Sequence, residues 1–111
     1  MKLGLKEIFP TSNGGHGGNE MTFQKELLEL KTKEYMKKSY KELVLLDNNI
    51  QLEREKYKGK LFRIELEGQK INNVIHLRVE CARDIFFLNQ FSIAKYFAKN
   101  ENDEIVEAEP F

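Results

Sequence analysis

The stretch from residue 20 to residue 46 most constrains the fold, because it predicts a helix whose apolar side chains point in two directions. It contains no glycine or proline, and Asn19 or Thr22 can serve as its N-cap. At roughly 100° per residue, two nearly opposite faces carry apolar side chains. One face holds Phe23, Leu27 and Leu30, and the other holds Met36, Tyr40, Leu43 and Val44.

One straight helix cannot bury both faces against a single surface. We therefore expect the helix to bend or break near residues 31–34, or its two halves to contact different surfaces. The second arrangement requires more packing surface than a chain of 111 residues readily supplies, which points to self-association or another protein partner.

Two later segments alternate apolar and polar residues, as half-buried antiparallel strands do. Residues 61–67 place Phe62, Ile64 and Leu66 on one face. Residues 75–82 place Ile75, Leu77, Val79 and Cys81 on one face.

The register of these two strands has two candidates. A tight turn at Gly68-Gln69 places Phe62 opposite Ile75. A longer loop over residues 68–75 would instead pair opposite charges, Arg63 with Glu80 and Glu65 with Arg78. We favour the tight turn, because the longer loop would leave the apolar Ile75 outside the sheet.

The remaining segments carry weaker signals. Residues 50–58 are highly charged and fit a short second helix or a continuation of the first. The apolar run of residues 85–88 predicts a central strand, and residues 91–99 fit either a helix or a strand. The polar cluster of residues 100–103 predicts a turn, followed by a short closing strand at Ile105-Val106.

Together these signals predict an α+β fold. We expect a flexible, glycine-rich N-terminal arm over residues 1–19 and a single domain over residues 20–111. The domain would consist of one long, bent helix and an antiparallel meander of three to four strands packed on it.

Composition restricts the class of protein. A single cysteine excludes an intramolecular disulfide, and no run matches a secretory signal or a membrane span, so we expect a cytoplasmic protein with no membrane partner. Lys plus Arg and Asp plus Glu each number 18, so the net charge of zero gives no general attraction to nucleic acid.

The sequence offers no arrangement typical of an enzyme. Cys81 and His76 lie on opposite faces of one predicted strand, which separates a thiol from its candidate base. The other histidine, His16, lies in the arm, and the nearby glycines lack the Lys-Ser/Thr of a phosphate-binding loop. We therefore predict no catalytic residue, no cofactor and no metal site.

The apolar residues without an evident place in the core predict a protein interface. They are Leu3, Leu5, Ile8 and Phe9 on the arm, and Phe23, Leu27, Leu30, Met36, Tyr40 and Leu43 on the helix. We expect a non-enzymatic interaction or assembly protein that associates with itself or with another subunit. A component of a virion or a mobile element would fit an arm joined to a compact body.

A Lys-rich helix face supports an alternative function. Residues 31–42 carry a local excess of positive charge, and four lysines fall within about a third of the helix circumference. These are Lys31, Lys37, Lys38 and Lys41. Such a stripe could contact a phosphate backbone, as in a small nucleic-acid-binding regulator.

Overall fold

The computed structural model describes residues 17–84 and 92–111, with side chains from Met21 onward. Within these residues the chain forms an antiparallel sheet of five strands in the order β1-β2-β3-β4-β5, with helices on one face. The elements are α1 (Gly17–Met36), α2 (Tyr40–Leu43), a 3-10 helix (Val44–Leu46), β1 (Ile50–Tyr57), β2 (Lys60–Ile71), β3 (Val74–Arg83), β4 (Ile93–Asn100) and β5 (Ile105–Val106). The predicted α+β meander is confirmed, with one strand more than the three to four expected.

The hydrophobic core lies between α1 and the central strands. We call the sheet face that packs on α1 the inner face, and the opposite face the outer face. The inner face contributes alternate residues of β2 and β3, as the period of two requires. The most buried of these are Phe62, Ile64, Leu66, Ile75, Leu77, Val79 and Cys81.

The helix breaks, but not where the sequence predicted. Residues 31–34 lie within a continuous α1, and the break comes at residues 37–39. Ser39 begins α2 with a capping box, in which its hydroxyl accepts from the Glu42 N–H and the Glu42 carboxylate accepts from the Ser39 N–H. This change of direction lets one sheet cover apolar residues from both parts of the helix.

Neither predicted register for β2 and β3 is correct. Phe62 pairs with Arg83 and Glu67 pairs with Arg78, and the turn lies at Asn72-Asn73, with Asn72 at φ 57°. Gly68 belongs to β2, where the Leu46 carbonyl oxygen lies 2.8 Å from the position that a Cβ would occupy. That glycine marks a close approach of two backbones and not a turn.

Residues 50–58 form strand β1 and the start of a hairpin, so the prediction of a second helix is wrong. Lys58 and Gly59 have φ of 52° and 81°, which is typical of the two-residue hairpin turn that joins β1 to β2. The charges that suggested a helix alternate across the strand, with Glu53 and Glu55 on the inner face and Arg54 on the outer face.

The segment after β3 agrees with the sequence where the structure describes it. The ambiguous stretch 91–99 contains β4, and the turn after Asn100 leads into the short strand β5 at Ile105-Val106, as predicted. The strand predicted at residues 85–88 lies outside the described residues.

Candidate functional site

The predicted helix interface is largely enclosed within the chain. Leu27 and Leu43 are buried in the core, and Phe23, Met36 and Tyr40 are half-buried and pack against it. Only Leu30 of that set is exposed, at 42%. Because one sheet covers parts of both apolar faces, the helix does not present the uncovered stripe that motivated the predicted interface.

The four arm residues of the predicted interface lie outside the described residues. These are Leu3, Leu5, Ile8 and Phe9.

The four lysines of the predicted basic stripe do not form one exposed face. Lys31 is 6% exposed, and its Nζ lies 3.1 Å from Glu53 Oε1, 3.2 Å from Glu34 Oε1 and 3.3 Å from Glu55 Oε1. Lys37 is exposed and Lys38 is half-buried within the helix break, and Lys41 is exposed on α2 after it.

Lys31 forms the centre of a charged cluster on the inner face. Burial alone would lower the pKa of Lys31, but the carboxylates of Glu53, Glu34 and Glu55 outweigh it and hold that pKa above its ordinary value. The Tyr35 hydroxyl also donates to Glu53. The cluster is a compensated ion-pair network, in which the lysine stays charged and is unsuited to act as a base near neutral pH.

Cys81 and His76 occupy opposite faces of β3, as the sequence predicted. Cys81 is fully buried on the inner face, and this burial raises the pKa of its thiol to about 12. On the outer face, Nδ1 of His76 accepts a hydrogen bond of 3.1 Å from the Glu109 N–H. The two side chains therefore cannot form a nucleophile and base pair.

Two tyrosines at the contact between α1 and the sheet, Tyr35 and Tyr57, are also poor acids. Burial, with the acceptor Glu53 beside it, raises the pKa of Tyr35. Burial, with the acceptor Glu26, raises the pKa of Tyr57 to about 12. Among residues 21–84 and 92–111, no three His, Cys, Asp or Glu side chains form a group suited to hold a metal ion.

In the described part of the chain, β1 is an edge strand of the sheet. No strand of residues 17–84 or 92–111 pairs with that edge. In a two-residue hairpin, the residues that flank the turn form a hydrogen-bonded pair, here Tyr57 with Lys60, and the pairs then alternate along the strands. The bond of 3.3 Å from the Gly68 N–H to the Asn49 carbonyl agrees with this alternation.

It follows that every second residue of β1 directs its backbone N–H and C=O away from β2. These outward residues are Ile50, Leu52, Arg54 and Lys56. Their side chains lie on the outer face, since Glu53 and Glu55 contact Lys31 on the inner face.

The outer-face side chains of β1 divide into an apolar half and a basic half. Ile50 is 57% exposed and Leu52 is 47% exposed. Arg54 and Lys56 follow, and Arg54 Nε lies 2.8 Å from Asp84 Oδ2. This surface is not predicted from the sequence when residues 50–58 are taken as a helix. The alternation of Ile50 and Leu52 with Gln51 and Glu53 is the signal that could have revealed it.

The comparisons with known proteins assign no family. No helix in the described part of the chain is long and apolar enough to cross a membrane. No family model matches this chain, and neither does any curated protein or solved structure.

Proposed function

We propose that this chain is a non-enzymatic assembly protein that associates with itself. The edge of β1 supports this proposal better than the helix does, because no strand of residues 17–84 or 92–111 pairs with it and the side chains of Ile50 and Leu52 are exposed. A strand edge of this kind is a template for pairing with another chain. Other edge strands are often protected by proline or a bulge, whereas β1 is eight residues long and has neither.

The charges of β1 protect only part of its edge. Lysine and glutamate side chains commonly discourage strand pairing. In β1 the charged side chains occupy positions 53–56, and they include the exposed Lys56 on the outward side of the strand. The first three residues of β1, Ile50, Gln51 and Leu52, have no charged side chain.

Sedimentation equilibrium of the full chain, from micromolar to near-millimolar protein, tests the proposal. We expect the average mass to rise above the monomer mass of 13.1 kDa as the concentration increases. A mass of one chain at every concentration would contradict self-association.

Two full-length variants locate the contact. Leu52→Lys places a charge on the β1 edge and should lower the association. Leu45→Lys is the matched control, because Leu45 is a leucine that is 74% exposed and lies outside β1. Replacing the arm residues Leu3 and Leu5 by serine tests the arm separately. If only that variant dissociates, the contact belongs to the arm and not to β1.

Binding to DNA or RNA through the Lys-rich helix remains the alternative function. It has weaker support, because Lys31 is buried among carboxylates and the remaining lysines are divided by the helix break. Association with duplex DNA that weakens with salt and with Lys37→Glu would favour it.

A further inference from the structure

We infer that two copies pair antiparallel through their β1 edges, with Leu52 facing the partner's Leu52 on a two-fold axis. This inference rests on the proposed self-association and names its geometry. The two sheets would join into one continuous sheet, with α1 of both copies on the same side. Such a contact is isologous, so it closes at a dimer and leaves no β1 edge free.

The symmetry restricts which residues can face each other. A two-fold axis perpendicular to the sheet keeps the outer face of both copies on the same side. Each outward residue of β1 therefore pairs with an outward residue of the partner, and the axis must pass through a residue that faces itself. The possible dimers differ only in which residue lies on that axis.

Charge excludes most of these registers. An axis at any position from Glu53 to Lys56 places that charged residue opposite its own copy, since the four residues are Glu53, Arg54, Glu55 and Lys56. Like charges directly opposite each other destabilise a strand pair. An axis at Tyr57 would place Lys56 opposite the partner's Lys58, which are again like charges. The remaining candidates are the first three residues of the strand, Ile50, Gln51 and Leu52.

Hydrogen bonding favours Leu52 among these. With the axis at Leu52, the outward backbone groups of Ile50, Leu52 and Arg54 all find partners. With the axis at Gln51, only those of Ile50 and Leu52 do so. With the axis at Ile50, only Ile50 itself does so. The chain before Ile50 cannot extend the pairing, because the Asn48 N–H already donates to the Gly68 carbonyl over 2.9 Å.

The register at Leu52 also gives acceptable side-chain neighbours. On the outer face, the two Leu52 side chains meet, and each Ile50 lies beside the aliphatic part of the partner's Arg54. On the inner face, Gln51 lies opposite the partner's Glu53, a pair that can form a hydrogen bond. No like charges face each other within residues 50–54.

Charge exchange at position 52 tests this register in the full chain. Leu52→Glu and Leu52→Lys should each raise the dimer dissociation constant at least about tenfold, because each places like charges across the axis. An equimolar mixture of the two variants should recover the dimer, since a glutamate then faces a lysine. Because Leu52 is half exposed, both variants should fold, and circular dichroism checks this.

The outcomes separate this inference from the proposed function. If the Leu52→Glu chain, measured without the Leu52→Lys chain, associated more tightly than the parent, the inference would be contradicted. That result would indicate a register in which residue 52 lies opposite the partner's Arg54. Two variants that stay dimeric when separate would also overturn it, although self-association would stand. A parent chain that is monomeric throughout would overturn both.

Oxidative cross-linking gives a second readout. Leu52→Cys should form a disulfide-linked dimer, because a hydrogen-bonded antiparallel pair has Cα atoms about 5.5 Å apart. Lys56→Cys is the matched control on the same edge, and its two copies would lie too far apart to link. The native Cys81 is fully buried and should not interfere. Efficient linking of the Lys56→Cys chain would contradict the register.

Discussion

At the scale of single residues, Lys31 shows how a buried charge can be tolerated when its partners come from another element. The lysine projects from α1 onto the inner face and meets Glu53 and Glu55 of β1. Both carboxylates are more than one third exposed, which limits their desolvation cost. The pair links helix to sheet at a point where an unpaired lysine would be strongly unfavourable.

Lys31→Met should therefore destabilise the fold by about 2 kcal/mol. This is less than the loss expected on breaking a fully buried ion pair, because water screens the partly exposed carboxylates. Chemical denaturation measures the free energy of unfolding. Lys33→Met, an exposed lysine on the same helix, is the control and should change stability by less than about 0.5 kcal/mol. Equal effects of the two substitutions would show that the Lys31 cluster contributes little.

Gly68 is a residue whose role depends on a close backbone approach. Gly68→Ala should destabilise the fold by about 1–3 kcal/mol, because the new Cβ would lie 2.8 Å from the Leu46 carbonyl oxygen. Gln69→Ala, at the next and exposed position, should have a small effect in the same denaturation experiment. If Gly68→Ala left the free energy of unfolding unchanged, the 3-10 helix would be able to move away from the new Cβ without destabilising the fold.

At the scale of elements, the end of α1 is held by a residue distant in sequence. Nζ of Lys99 on β4 donates to the carbonyls of Met36 and Lys38, each over 2.7 Å. The Met36 carbonyl is one that a helix C-terminus leaves without an intrahelical partner, and the Lys38 carbonyl lies in the break that follows. A cation is favoured beside a helix C-terminus. The same contact fixes the position of the helix break over the sheet.

Lys99→Met should destabilise the fold by about 1–3 kcal/mol, because it leaves these carbonyls without their charged donor. Lys95→Met is the matched control on the same strand and face. Its ion pair with Glu29 is exposed and should contribute less than about 1 kcal/mol. Hydrogen exchange should also report faster opening at the end of α1 in the Lys99 variant, and unchanged exchange there would contradict the capping role.

At the scale of the whole molecule, the ion pairs between helix and sheet link stability to pH. Burial alone would raise the pKa of Glu53, but the hydrogen bonds from Tyr35 and Lys31 hold it below its ordinary value of 4.5. The folded state therefore favours the ionised form. This stabilisation is present above the unfolded pKa and is lost as the pH falls through the folded pKa.

We accordingly expect the free energy of unfolding to fall as the pH is lowered below about 4.5. Because the pKa of Lys31 is raised, the stabilisation that depends on its charge should be lost only at strongly alkaline pH. Glu53→Gln should be less stable at neutral pH and should show a smaller decrease on acidification. Glu101→Gln, in the exposed turn after β4, is the control. An identical acid response in Glu53→Gln and the parent would show that other groups control it.

The sequence predicted those elements whose apolar residues repeat regularly. Alternation identified β2 and β3 and placed Cys81 and His76 on opposite faces, because side chains of a strand alternate by geometry alone. It did not identify β1, whose central inner-face residues are Glu53 and Glu55. Their partner Lys31 lies on a different element, so no local pattern records the pairing.

The order of apolar residues along the chain is enough to fix the class of fold, since helical and strand periodicities follow from it. The tertiary structure decided the strand register, the position of the helix break and the residues that remain uncovered. Each of these depends on contacts between distant positions, such as Leu46 against Gly68 and Lys99 against the end of α1. For the same reason the sequence indicates the helix as the candidate interface, whereas the structure indicates the β1 edge. Only the packing shows which apolar side chains are covered by the chain itself.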